Sequence, residues 1–159
     1  MKIDLEAVQT EIVTRLPVRA RWTINRTPLD YNFVVAHESL YEVSDDLLCM
    51  VGPAEKEWFE LLIFGDYDYA EGGGAHPWLC VRKSDGAIYG LDVERENAAF
   101  LLNSSLEGFI GTFQFLNGYF GNAKQLPSNV NAHLRRINPE AYPESDWRLL
   151  INCIRAGDL

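Results

Sequence analysis

One hairpin constrains this chain more than any other feature. Trp78-Leu79-Cys80-Val81-Arg82 and Ala87-Ile88-Tyr89-Gly90-Leu91-Asp92 are short runs rich in β-branched, aromatic and aliphatic residues, joined by a loop containing Asp85-Gly86. Asp-Gly between two such runs marks a tight antiparallel connection, because glycine takes the left-handed backbone of the turn at no steric cost. Trp58 to Phe64 is a further apolar run, ended by Gly65-Asp66. Together with the hairpin arms it predicts one antiparallel sheet with a covered side.

The covering elements are predicted on either side of the strands. Leu5, Val8, Ile12 and Leu16 repeat at helical spacing behind Asp4, a candidate N-cap, and Pro17 ends that pattern. Ser104-Ser105-Leu106-Glu107 matches a capping box with Ser104 at the cap, and Leu106, Phe109, Ile110, Phe113, Leu116 and Phe120 then share one face, with Gly118 and Gly121 at the end. A short helix is expected near Val130–Ile137, and a last one from about Ser145 through Trp147, Leu150, Ile151 and Ile154 to Gly157. Between Pro17 and about Asp46 the sequence reads as irregular apart from one short strand, Asn32 to Ala36, and Asp46 to Val51 reads as another strand closed by Gly52-Pro53. With no repeat and no linker, residues 1–159 are expected to form a single α+β domain, its central sheet mainly antiparallel and its helices on one face.

Charge narrows the function. Fourteen basic residues against 23 acidic ones leave a formal charge of −9, which disfavours direct binding to nucleic acid or anionic membrane and favours a basic protein partner. Cys49, Cys80 and Cys153 are odd in number, form no CxxC pair and sit on apolar segments, so they read as reduced core residues. The N-terminal residues lack a signal-peptide pattern, and no apolar run approaches the roughly 18 residues of a membrane span, so the expected location is cytoplasmic.

The chemistry-bearing residues gather in Asp66-Tyr67-Asp68-Tyr69-Ala70-Glu71-Gly72-Gly73-Gly74-Ala75-His76, which reads as an exposed, Gly-rich loop. Its carboxylates could serve as oxygen ligands, as an acid/base pair, as an acidic interaction surface, or simply as a solvated loop. Oxygen-ligand loops place more ligands at alternating positions than these two aspartates do, and a catalytic site needs a rigid platform. Asp66, Tyr67, Asp68, Tyr69, Glu71 and His76 are therefore the candidate partner-binding residues, because tyrosines among carboxylates suit a surface that receives Arg and Lys. His37, His76 and His133 are isolated in sequence, Gly72-Gly73-Gly74 lacks a phosphate-loop pattern, and no GxSxG is present. No catalytic residue, metal ligand or cofactor is assigned. The rival readings are a regulatory or scaffold adaptor that binds protein through the same fold, and a hydrolase using His76 or His133 with Asp66 or Asp68.

The run from Trp78 to Arg82, Asp85-Gly86, Ile88-Tyr89-Gly90-Leu91-Asp92 and Phe100-Leu101-Leu102-Asn103-Ser104-Ser105-Leu106-Glu107-Gly108-Phe109 resembles the SUKH superfamily of immunity proteins. It looks most like the subgroup with an Asn-Ser-Ser-Leu helix start, and Phe64-Gly65-Asp66 also fits. The resemblance covers about residues 45–120, whereas the N-terminal third and the last helix follow only the general order. It implies one α+β domain that neutralises a bacterial polymorphic toxin by binding it. Such toxins are often nucleases or nucleic-acid deaminases with basic clefts. The resemblance implies no catalytic residue, and the positions that carry it are structural. The acidic loop lies outside the shared motifs.

Overall fold

The hairpin forms as its turn chemistry requires. In the computed structural model, which describes residues 3–15, 19–24, 27–32, 34–43, 60–67, 78–91, 98–119, 125–139, 147, 151 and 155, strands β5 (Trp78–Arg82) and β6 (Ile88–Leu91) pair antiparallel with Trp78 opposite Leu91 and Val81 opposite Ile88. Gly86 sits at φ +77°, where a side chain is strained. Asp85 braces the turn by accepting the Ala87 N–H at 3.1 Å and two bonds from the Arg82 guanidinium. Those charge-assisted bonds hold the Asp85 carboxyl below its usual range.

Five strands form one antiparallel sheet in the order β3-β4-β5-β6-β7, with β3 at Val34–Glu42, β4 at Leu61–Tyr67 and β7 at Ala99–Asn103. Neighbours in sequence are neighbours in the sheet, as in a meander. Strand β4 starts later than Trp58 and continues through Gly65-Asp66 instead of stopping there. A shift in register between Ile63 and Gly65 leaves Phe64 as an extra residue, so the chain absorbs the glycine and keeps pairing Gly65 with Leu79 and Asp66 with Trp78. A second bulge on β7 sets Leu102 outside the simple pairing with β6.

The N-terminal third departs most from the sequence-based expectation. The segment expected to be irregular holds a separate two-stranded sheet, β1 (Arg19–Ile24) with β2 (Thr27–Asn32), and then the nine-residue β3. Pro28, Asp30 and the arginines weaken the strand pattern there, and cross-strand pairing overrides that local preference. The expected strand from Asp46 to Val51 lies outside the described residues.

Helix α1 (Leu5–Arg15) starts at Asp4, whose Oδ1 accepts the N–H groups of Glu6 and Ala7 at 3.1 Å each. Helix α2 (Leu106–Asn117) runs as its apolar period predicts, and α3 (Val130–Ile137) is the short helix expected there. Near the C-terminus Ile151 and Arg155 are helical, and the Ile151 N–H donates to the Trp147 carbonyl at 3.1 Å. These elements cover one face of the sheet. Ile12, Leu62, Phe64, Leu79, Val81, Ile88, Leu102, Phe109, Phe113, Leu134, Trp147 and Ile151 form one buried cluster. Phe109 and Phe113 each pack against Trp147, with ring centroids 5.9 and 5.1 Å apart.

The opposite face is withdrawn from solvent as well. Val43, Leu61, Ile63, Cys80 and Leu91 form a second buried cluster, with half-buried Trp78 and Tyr89 against it. Tyr89 and Leu91 thus share one face, as their alternation predicts. Cys80 is a free, fully buried thiol, and burial raises its pKa, so it is inert packing. Cys49 and Cys153 lie outside the described residues. The sheet is therefore apolar on both sides.

Candidate partner-binding surface

The two ends of the sheet differ in chemistry. At one end, β7 runs into α2 through Asn103-Ser104-Ser105, and a set of neutral hydrogen bonds fixes the junction, with Asn103 Oδ1 buried and without a bond of its own. Ser105, not Ser104, caps α2: its Oγ accepts the Gly108 N–H at 3.1 Å. The cap thus falls one residue later than Ser104, without the glutamate half of a capping box since its third residue is Gly108, and Asn138 at the end of α3 is the reason. Asn138 Oδ1 accepts from the Ser104 N–H at 2.9 Å and from Asn103 Nδ2 at 3.0 Å, while its Nδ2 donates to Ser104 Oγ at 2.7 Å. With Ser104 engaged there, the cap falls to Ser105. Asn103 Nδ2 also donates to Thr112 Oγ1 at 3.3 Å, and the Thr112 hydroxyl donates to the Gly108 carbonyl at 2.8 Å. A Cβ on Gly108 would lie 3.0 Å from the Asn138 side chain, which would have to shift out of its hydrogen bonds to admit it.

Asn103, Thr112 and Asn138 are buried, and none is a base or an activated nucleophile. Trp147 Nε1 donates to the Leu102 carbonyl at 3.1 Å beside them and ties the C-terminal segment to the same junction. The Asn-Ser-Ser-Leu signature is accordingly a structural joint between sheet, α2 and α3.

Surface ion pairs brace the same elements. Arg15 at the end of α1 reaches Glu107 in the first turn of α2 at 2.5 Å and Glu11 at 3.1 Å. Each partner sits at the helix end its charge favours. The bonds lower the Glu107 pKa and raise that of Arg15. Lys83 donates to Glu42 at 2.8 Å across the sheet and lowers the Glu42 pKa.

The other end of the sheet carries the candidate binding residues. Asp66 and Tyr67 are not loop residues, as the sequence suggested, but the last two positions of β4. They lie in register with Val35 and Val34 of β3, and Asp66 also with Trp78 of β5. Asp68, Tyr69, Glu71 and His76 lie outside the described residues. The connection that holds them, residues 68–77, joins β4 to β5 at the sheet end where β6 finishes at Leu91 and β7 begins at Ala99. Residues 92–97, the connection from β6 to β7, therefore leave and rejoin that same end. About 20 positions separate the two connections in sequence; the antiparallel order brings the strand ends that flank them to the same end of the sheet. Together the two connections and Asp66 hold Asp66, Asp68, Glu71, Asp92, Glu94 and Glu96 against Arg95 alone, a net −5 of the chain's −9.

His133 on α3 stacks on Phe115 at 5.0 Å between ring centroids, and Tyr119 meets Phe115 edge-on at 5.5 Å. His37 belongs to β3, and His76 lies outside the described residues. Among the described residues no group of three His, Cys, Asp or Glu could hold a metal ion, and no helix is long and apolar enough to cross a membrane. Comparison of the chain with protein-family models, with curated proteins and with solved structures matches none of them.

Proposed function

We propose that this chain is an immunity protein of the SUKH type, which binds a toxic partner protein and occludes a basic surface on it with the acidic end of the sheet. The partner is a cognate bacterial toxin, a nuclease or nucleic-acid deaminase being the class whose substrate cleft carries the matching charge. Cytoplasmic action belongs to this proposal, since an intracellular toxin is what the binder would meet.

The carrying observation is the division of labour between the two sheet ends. The joint of Asn103, Ser104, Ser105 and Asn138 is built from neutral, hydrogen-bonded side chains, whereas more than half of the net charge lies on Asp66 and the two connections that start and end at the opposite end. A rigid sheet that carries carboxylates and tyrosines on its connections can attract a cationic protein from a distance and dock against it without chemistry of its own. The signature resemblance around Asn103-Ser104-Ser105-Leu106 supports the same reading, because those residues build the support on which such a surface would stand.

The test is cellular. The catalytic domain of the large toxin encoded beside this gene is expressed with and without the chain, and growth is followed. Rescue of growth together with a stable complex of the two purified proteins is expected. Continued toxicity with both proteins present, or the absence of any toxin gene beside this one, refutes the assignment.

A further inference from the structure

Asp85-Gly86 is the chain's only Asp-Gly pair, and that dipeptide carries a chemical hazard as well as a turn. The glycine nitrogen can attack the aspartate γ-carbon, forming a C–N bond and expelling the carboxyl hydroxyl as water. The resulting succinimide takes up water at either carbonyl and returns aspartate or isoaspartate. Closure needs a neutral γ-carboxyl, a glycine nitrogen that gives up its proton, and a rotation that brings the two together. The turn can shed neither residue. Gly86 stands at φ +77°, where a side chain is strained, and Asp85 Oδ1 takes the Ala87 N–H at 3.1 Å. Burial gives no protection either, since the Asp85 side chain is 48% exposed.

One residue opposes every step of that closure. The Arg82 carbonyl accepts the Gly86 N–H at 2.9 Å, which ties up the nucleophile. The Arg82 guanidinium grips both carboxylate oxygens, Nε donating to Oδ1 at 2.8 Å and Nη2 to Oδ2. That two-point grip favours the ionised carboxylate, which has no hydroxyl to lose as water. It also fixes the Asp85 side chain, so its γ-carbon is not free to swing toward the Gly86 nitrogen. The guanidinium is held in turn: Nη1 donates to the Tyr89 hydroxyl at 2.7 Å, and Cζ lies 5.1 Å from the centre of the Tyr89 ring. Tyr89 sits on β6 opposite Cys80 of β5, so the grip is anchored to the sheet and not to the loop.

We infer that Arg82 is a chemical guard on the β5–β6 turn: by holding the Gly86 nitrogen with its carbonyl and the Asp85 carboxylate with its guanidinium, it keeps residue 85 from becoming isoaspartate while the hairpin is closed. Residue 85 is thereby a latent modification site, opened by whatever releases Arg82. Its modification reaches beyond the turn. Isoaspartate routes the backbone through the former side chain and adds one carbon to the loop Lys83-Ser84-Asp85-Gly86, across which the Arg82 N–H donates to the Ala87 carbonyl at 2.9 Å. The two strands joined there are inner strands of the five-stranded sheet, so a spoiled loop loosens the centre of the fold and not a margin. None of this rests on what the chain binds.

The full chain is aged at neutral pH, both folded and in urea, to test this. Isoaspartate is counted by methyl transfer from S-adenosylmethionine with an isoaspartyl methyltransferase, and placed by peptide mass spectrometry. The folded parent is expected to form it at residue 85 far more slowly than the chain in urea. Arg82→Met keeps the backbone carbonyl and removes the guanidinium; folded, it is expected to isomerise about ten-fold faster or more, the effect of taking a cation from beside a carboxylate. In urea, where the grip is gone, it ages like the parent. Tyr89→Phe removes one anchor of the guanidinium and gives a smaller rise. Lys83→Met, next to Arg82 but paired with Glu42, gives none. Hydrogen exchange of the Gly86 amide reports whether the hairpin is closed in each variant. The inference is overturned if the folded parent ages as fast as in urea, if closed Arg82→Met ages like the folded parent, or if Lys83→Met accelerates as much as Arg82→Met. Should Arg82→Met open the hairpin, Tyr89→Phe carries the test, and ageing of that variant at the parent rate overturns the inference.

Discussion

The two ends of the five-stranded sheet differ in what they are made of, and under the proposed function the difference separates support from contact. At the β7–α2 junction, amide and hydroxyl side chains bond one another within a buried joint, and Trp147 locks the C-terminal segment onto it. At the other end, the strands stop and the chain carries carboxylates on two connections. Buried neutral groups in bonded sets specify a fold, whereas charges kept near solvent contribute little to stability and much to steering. If this division is real, substitutions at the joint change stability and leave affinity intact, and substitutions at the acidic end do the reverse.

The largest stability effect is expected in the aromatic cluster behind the joint. Trp147→Ala leaves a cavity against Phe109 and Phe113 and orphans the Leu102 carbonyl, for a loss of about 3–5 kcal/mol in urea unfolding. Next comes Asn138→Ala, which strands the Ser104 N–H and one Asn103 donor in a buried site and costs about 2–3 kcal/mol. Ser105→Ala costs about 1 kcal/mol through the lost cap, whereas Ser104→Ala leaves the cap in place, so the pair of variants checks which serine starts α2. In each case the folded fraction is expected to bind the partner with unchanged affinity. A Trp147 or Asn138 variant that folds fully yet fails to bind would break the comparison.

The smallest effect belongs to the surface ion pairs. Glu107 and Asp85 have lowered folded pKa values, so their contribution is present above the ordinary carboxylate range and is lost as pH falls through the depressed folded values. Stability should therefore decline only below about pH 4 on their account. A double-mutant cycle on Arg15 and Glu107 is expected to return a coupling smaller than any of the losses above, shrinking further in high salt.

Legibility in the sequence followed the range of the interactions. Gly86, Asp4 and the apolar stripe of α2 act within a few residues, and each marked its element correctly. The start of α2 was misplaced by one residue because Ser104 and Ser105 satisfy local rules equally, and the choice between them is made by Asn138, 34 residues away. Strand β7 was not read as a strand, since Phe100-Leu101-Leu102 lacks alternation; its place is given by pairing with β6 and by Phe100, whose ring fills the space over Gly90 where a Cβ would clash. The β1–β2 hairpin was hidden by Pro28 and the arginines, which local propensity scores against a strand. For the candidate surface, the acidic loop is visible as composition, whereas the meeting of the strand ends that flank residues 68–77 and 92–97 is a property of strand order alone.

The central claim rests on the charge of that sheet end, and association kinetics test it most directly. Asp66 is best left alone, because it belongs to the β4 ladder, so the variant to make is Asp68→Lys with Glu71→Lys, Glu94→Lys and Glu96→Lys. Its association rate with the toxin domain is expected to fall about ten-fold or more and to lose most of its salt dependence, at unchanged thermal stability. An association rate and salt dependence equal to those of the parent chain would show that the partner docks elsewhere.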